Sequence, residues 1–215
     1  VNLPQWLIDR DVVVLDTETT GLDPHVDRVV QVGAALFRQG ELLLKTSRLC
    51  NPGLPLPPSA AGAMAVNGLS EEDLRDAPPF ADAMRAVMVE LIAARESDRH
   101  PRYRPLIVAA HNAPFDQAFT AFECARGPFW TQIIFRPWLC TLALAKSQAG
   151  VDRFAHGYRL TDLCARRGIE FHGQAHDAAN DAEAAGRLLY AMGPELPAVY
   201  ADVLDMQHAW QDANS

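Results

Sequence analysis

Three short stretches hold the side chains able to do chemistry. The first is "VVVLDTETTGL", Val12 to Leu22, in which an apolar run ends in Asp16 and Glu18. Two residues apart on a strand, these acids project to one face while Thr17 points to the other. Paired carboxylates repel and raise each other's proton affinity unless a cation sits between them. Oxygen-rich, sulfur-free donors favour magnesium or manganese. The D-x-E pattern is weak by itself, since a solvated strand end would carry the same pair.

The second stretch is "IVAAHNAPFDQAF". An apolar strand ends at His111-Asn112, Asn112 stands at an N-cap position, and Pro114 fits the first turn of a helix. Asp116 then falls where the helix macrodipole favours negative charge, so a structural role competes with a chemical one. His111 reads as a structural histidine beneath the loop. The third stretch is "QAHDAANDAEAAGRLL". His176 and Asp181 lie five apart, about 140° around a regular helix, so both cannot face one site from within it. A helix starting after His176 leaves the histidine on an approach loop and Asp181 on a half-buried helix face. Asn180 and Glu183 have the spacing of a capping box.

The elements that must position these residues follow from periodicity. Val12–Leu15 and Leu106–Ala110 read as buried strands, and "RVVQVGAALFRQGELLLKTSRL" as a hairpin turning at Gln39-Gly40. "NPGLPLPPSA" is a proline-rich connection. Helical spacing recurs from about Pro79 (Phe80, Met84, Val87, Leu91), around "RLTDLCARRG" with Gly168 closing it, and after His176 (Ala178, Ala182, Ala185, Leu189, Met192). Leu196, Val199, Val203, Gln207 and Trp210 mark a C-terminal amphipathic helix. Strands and helices mix as in one α/β domain. The expected division is residues 1–192 as the catalytic domain, with 193–215 as a helix packed on it.

At 215 residues the chain can bury a full core. No apolar run is long enough to span a bilayer. The N-terminal residues lack the basic and apolar regions of a signal peptide, and the four cysteines form no CxxC pair, so a cytoplasmic protein with reduced thiols is expected. A net charge of −8 denies the chain a general positive field for a long nucleic acid. Contact with such a polymer should be short, or supplemented by metals or partner proteins.

In order, "DTETTG", "HNAPFD" and "HDAANDA" resemble the three motifs of the DEDDh (DnaQ-like) 3′→5′ exonucleases. That family includes the epsilon proofreading subunit of bacterial DNA polymerase III, RNase T and oligoribonuclease. "NGLSEEDLRDAPPF", "CTLALAK" and "RLTDLCARRGIEF" agree with it, and the resemblance covers roughly Asp11 to Met192. The sibling class with tyrosine for histidine is excluded by Asp177. The resemblance implies a ribonuclease H-like α/β fold, a mixed sheet flanked by helices. It implies catalytic residues Asp16, Glu18, Asp116, Asp181 and His176. The four acids would hold two divalent cations, Mg²⁺ or Mn²⁺, with Asp16 bridging, Glu18 and Asp181 completing one ion and Asp116 supporting the other. His176 would be the general base, a role that histidine fills most often. Substrate contacts are expected from Thr19, Thr20, Leu22, Asn112 and Phe115. The substrate would be a single-stranded DNA 3′ end, with RNA trimming the alternative and a non-catalytic docking subunit a third reading. A polymerase or repair protein is the expected partner. Many relatives carry histidine where Asn67 stands, and Asp177 adds a charge beside His176.

Weaker candidates remain. Arg95, Arg99, His100, Arg102 and Arg104 form the densest basic cluster, either a solvated loop or a phosphate clamp. Phe129, Trp130, Phe135 and Trp138 fit core packing better than base stacking. His172 and His176 have an H-x-x-x-H spacing but lack further zinc ligands.

Overall fold

The computed structural model describes residues 2–96, 104–127, 136–148, 157–171, 173 and 176–212. Its strands are β1 (Asp11–Thr19), β2 (Val29–Arg38), β3 (Glu41–Leu49), β4 (Leu106–Ala110) and β5 (Trp138–Cys140). The helices are α1 (Gln5–Ile8), α2 (Ala61–Asn67), α3 (Glu71–Arg75), α4 (Phe80–Glu96), α5 (Ala113–Arg126), α6 (Thr141–Gln148), α7 (Leu160–Arg166), α8 (Ala178–Met192) and α9 (Tyr200–Asp212). One mixed sheet runs β3-β2-β1-β4-β5, with β1 antiparallel to β2 and parallel to β4.

The central position of β1 explains its unbroken apolar run, because a strand covered on both faces shows none to water. Val12 and Val14 enter a core with Phe37, Leu188 and Leu189 beneath α8. Val13 and Leu15 enter a second core with Met84, Val87 and Phe119 beneath α4 and α5. The same two-residue alternation continues past Leu15. It sends Asp16 and Glu18 toward α8 and Thr17 toward α5.

The hairpin turns at Gln39 (φ 55°) and Gly40 (φ 91°), the left-handed pair that a two-residue turn demands. The short helices α1, α2, α3 and α6 lie outside the periodic segments read from sequence. One of them, α3, has a capping box: Ser70 accepts from Asp73 N while the Asp73 carboxylate accepts from Ser70 N. The C-terminal helix α9 is stitched to the sheet. The buried Gln207 amide accepts from Cys140 N (2.7 Å) and donates to Trp138 O (2.9 Å), taking the edge groups of β5 as a sixth strand would. Val199 precedes this helix and is exposed rather than on its seam. All four cysteines are free and buried. No helix among the described residues is long and apolar enough to cross a membrane.

Candidate active site

Strand β4 pairs with β1 only as far as Val14↔Ala109, so β1 from Leu15 onward runs past its neighbour. Asp116, in the first turn of α5, fills that open edge. It accepts from Thr17 N (2.9 Å) and Thr17 Oγ1 (2.8 Å) while only 2 % exposed. The acid is therefore bound to the sheet edge and is not a freely solvated first-turn carboxylate. Asn112 precedes α5 in a left-handed conformation (φ 63°, ψ 48°), and its side chain makes no cap bond. The position is the expected one, but the cap is not: a capping side chain needs extended backbone at its residue.

On the other face α8 begins beside Glu18. Ligand atoms of Glu18, His176 and Asp181 all lie within 4.8 Å of one another. The cap of α8 is Asp177, whose Oδ1 accepts from Ala179 N and Asn180 N (both 3.1 Å). Asn180 and Glu183 thus lie inside the helix and form no capping box. The Asp177 carboxylate is committed to this cap and to Gln31. His176 itself is exposed and left-handed (φ 64°), and its amide donates to Asp181 Oδ2 (3.2 Å). A positive φ at a non-glycine residue costs energy and persists only where surrounding contacts hold it.

The acids share one electrostatic predicament. Burial first, then Asp116, Asp181, Glu18 and Asp177, push the Asp16 carboxyl well above the carboxylate range. Burial and the charges of Asp181 and Asp177 raise Glu18 to about 7. Burial raises Asp116 despite its bonds from Thr17, and raises Asp181 to about 6. Elsewhere the fold balances its buried acids. Asp11 pairs with Arg38 (2.8 Å) and Arg95 (2.9 Å), Glu123 with Arg28 (2.6 Å) and Arg126 (3.3 Å), and Glu183 with Lys45 (2.8 Å) and Arg187 (2.7 Å). Among the described residues no lysine or arginine pairs with Asp16, Glu18, Asp116 or Asp181. A cluster of hard oxygen donors without its own cation suits a divalent metal ion.

Around this cluster, Thr19 and Thr20 are buried. Thr19 Oγ1 donates to Gly21 O (2.6 Å), and Thr20 Oγ1 accepts from Arg28 N (3.0 Å), which fixes the turn after β1. Leu22 projects from that turn at 84 % exposure. The Asn67 amide donates to Thr19 O (3.0 Å), tying α2 to the same turn. Phe115 is half-buried against Phe119, ring centroids 4.7 Å apart. His111 is structural: its ring nitrogens meet Thr141 Oγ1 (2.9 Å) and Tyr158 O (3.3 Å), and burial lowers it to about 4.

Arg95 is not part of a clamp beside the acids. It neutralises Asp11 at the opposite end of β1, five residues or roughly 17 Å from Asp16 at strand rise. Arg104 donates to Ile8 O, also at that end. Trp138 is core. Residues 99, 100, 102, 129, 130, 135 and 172 lie outside the described residues. Sequence reading missed Thr17, Gln31 and Gly33. The signals were present for the last two: a polar residue and a mid-strand glycine inside the apolar run "VVQVGAALF".

A mixed sheet between helical layers, with carboxylates gathered where β1 outruns β4, defines an α/β protein of ribonuclease H-like fold. A sequence model of the exonuclease family, RNase T type, matches residues 13–189. The chain belongs to that family and is a DnaQ-like 3′→5′ exonuclease of the DEDDh type. The DNA polymerase III subunit epsilon of Treponema pallidum is 29% identical over 181 residues, covering 82% of this chain and 74% of that protein. The PolC-type DNA polymerase III of Bacillus subtilis is 30% identical over 196 residues, but the chain spans only 12% of its length. Among solved structures, a 3′-exonuclease studied in recognition of a histone mRNA stem-loop superposes with TM-score 0.67 at 15% identity, covering 86% of this chain and 64% of that one. Exonuclease X in complex with 5′ overhanging duplex DNA gives 0.62 at 21%, covering 91% and 99%. These structures share the fold.

Proposed function

We propose that the chain is a metal-dependent exonuclease that removes nucleoside 5′-monophosphates from single-stranded DNA 3′ ends. Asp16, Glu18, Asp116 and Asp181 would hold two cations, Mg²⁺ or Mn²⁺, and His176 is the general base. The observation that carries this reading is the contrast between balanced and unbalanced acids. Asp11, Glu123 and Glu183 each have basic partners, whereas the four site acids repel one another with their affinity for protons raised. A fold that only needed to dock a partner would gain stability by losing that repulsion.

When bound, divalent cations supply charge that activates water and stabilises the leaving 3′-oxygen. His176, exposed and held by its amide to Asp181, would take the proton of an attacking water. The turn of Thr19 and Thr20, braced by Asn67, receives the terminal nucleotide, and the exposed Leu22 meets its base. The C-terminal helix belongs to the same domain, given its Gln207 bonds to β5.

DNA is favoured over RNA by the first motif and by the relatives, which are named DNA polymerase III subunit epsilon and DNA polymerase III PolC-type. The same relatives suggest a polymerase as partner. The test is one assay on matched DNA and RNA oligonucleotides, single- and double-stranded, with Mn²⁺. Faster shortening of single-stranded DNA supports the reading. Faster shortening of RNA transfers the enzyme to the trimming class, and release from neither removes the catalytic reading.

A further inference from the structure

Four backbone N–H groups open every helix without an intrahelical partner. In α8 the first three helical residues have theirs satisfied by side chains. Asp177 Oδ1 takes those of Ala179 and Asn180, while Asp181 N makes the first intrahelical bond, to Asp177 O (3.0 Å). The remaining one, Ala178 N, donates to Gln31 Oε1 (3.1 Å), a side chain on a different element 147 residues away in sequence. The other end of the same amide, Gln31 Nε2, donates to Asp177 Oδ2 (3.3 Å) and Ser47 Oγ (3.4 Å). One buried amide thus grips both the cap of α8 and its first residue.

The place of Gln31 in the sheet gives this grip its meaning. Gln31 lies directly opposite Glu18 in the β1–β2 register, and Gly33 directly opposite Asp16. Residues opposite each other in an antiparallel pair share a face, so Gln31 stands among the acids themselves. On one side of the gripped segment is His176, left-handed and joined by its amide to Asp181. On the other is the turn of helix that carries Asp181. Asp181 on α8 and His176 just before it are therefore located relative to β1 through Gln31.

We propose that Gln31 is a positioning residue for catalysis, fixing His176 and Asp181 against Asp16 and Glu18 through a donor–acceptor pair with Asp177. The inference rests on the assignment of His176 and Asp181 to the reaction. It acts without touching substrate, as the groups behind metal ligands do, whose loss costs about 10- to 100-fold.

The polarity of the pair gives a test that simple destabilisation cannot imitate. Q31E keeps an acceptor for Ala178 N but sets two carboxylates against each other at the Asp177 contact. D177N keeps an acceptor for Ala179 N and Asn180 N but sets two amide donors against each other. Together the substitutions restore every bond with the Gln31–Asp177 direction reversed, and net charge is unchanged. The expected result is a kcat loss of about 10- to 100-fold in each single variant with KM moved by less than about threefold. Activity should return to within about threefold of wild type in Q31E/D177N. Hydrogen exchange of the Ala178 amide, read without metal or substrate, should rise in Q31A and stay protected in the double variant. Single variants with wild-type kcat, or a double variant no better than its parents, overturn the inference. H176A is the separating control. If it is as active as wild type, the reading of the site has failed; if it is inactive while Q31E and D177N are unimpaired, only the positioning role has.

Discussion

Gly33→Ala is the smallest change that should displace the site without touching any of its side chains. A Cβ at Gly33 would stand 2.1 Å from Ala178 C, 2.3 Å from Ala178 O and 2.5 Å from Ala179 N. Ordinary contact begins at 3.4 Å, so the closest approach is about 1.3 Å too short. The opposing atoms are backbone and cannot rotate aside. Either the start of α8 lifts from the sheet by about an ångström, or β2 bows away beneath it. Both outcomes carry Asp181 and His176 away from Asp16, which Gly33 faces across the register. A misplacement near 1 Å can cost about 10²-fold in rate. Overpacking of this kind costs roughly 1–3 kcal/mol of stability. The assay is kcat on a single-stranded oligonucleotide at saturating Mn²⁺, well below the melting temperature, with urea unfolding alongside. Wild-type kcat with unchanged stability would refute the close seating of α8 on β2.

Replacing His176 by Ala should lower kcat by roughly 10²- to 10⁴-fold and leave Mn²⁺ binding by calorimetry largely intact; loss of metal instead would assign the histidine a ligand role. Metal-free protein should melt lower as pH rises from about 5 to 8. Glu18 (about 7) and Asp181 (about 6) bind protons more tightly folded than unfolded, so their contribution is complete at low pH and lost as pH passes those values. Saturating Mg²⁺ should flatten or reverse that slope in a melting series, and an identical slope with metal would contradict a cation site in the acid cluster. Thr17→Val removes one of the two Thr17 bonds to Asp116 and should weaken metal binding by about 10- to 100-fold with a small change in melting. Gln207→Leu strands Cys140 N and Trp138 O, at roughly 1–3 kcal/mol for each group, while kcat at low temperature stays near wild type.

The acids and their strands were legible because their signals are local. A four-residue apolar run, a D-x-E pair and an asparagine-proline helix start each declare themselves within a few residues. What brings Asp116 to β1 is less local. Thr17 points away from its neighbouring acids, and its amide is free only because β4 stops at Ala110, an event 93 positions later in sequence. The seat of α8 is equally remote. Gln31 and Gly33 show as irregularities in an apolar strand, but only the register says that they face Glu18 and Asp16. Capping was misread at both active helices. Asn112 and Asn180 have the right chemistry for a cap, yet one is left-handed and the other sits a turn inside the helix that Asp177 opens. Arg95 and Arg104, grouped with other basic residues by sequence, turn out to hold Asp11 and the chain before β1.

The central claim is that a carboxylate cage at the end of β1 drives metal-dependent removal of 3′-terminal nucleotides. Its most direct test follows a 5′-labelled single-stranded DNA oligonucleotide with Mn²⁺, with EDTA, and with Asp16→Asn in place of wild type. The expected result is a ladder shortening one nucleotide at a time from the 3′ end with Mn²⁺ alone, with nucleoside 5′-monophosphates as product. Shortening that persists in EDTA or in Asp16→Asn would contradict it.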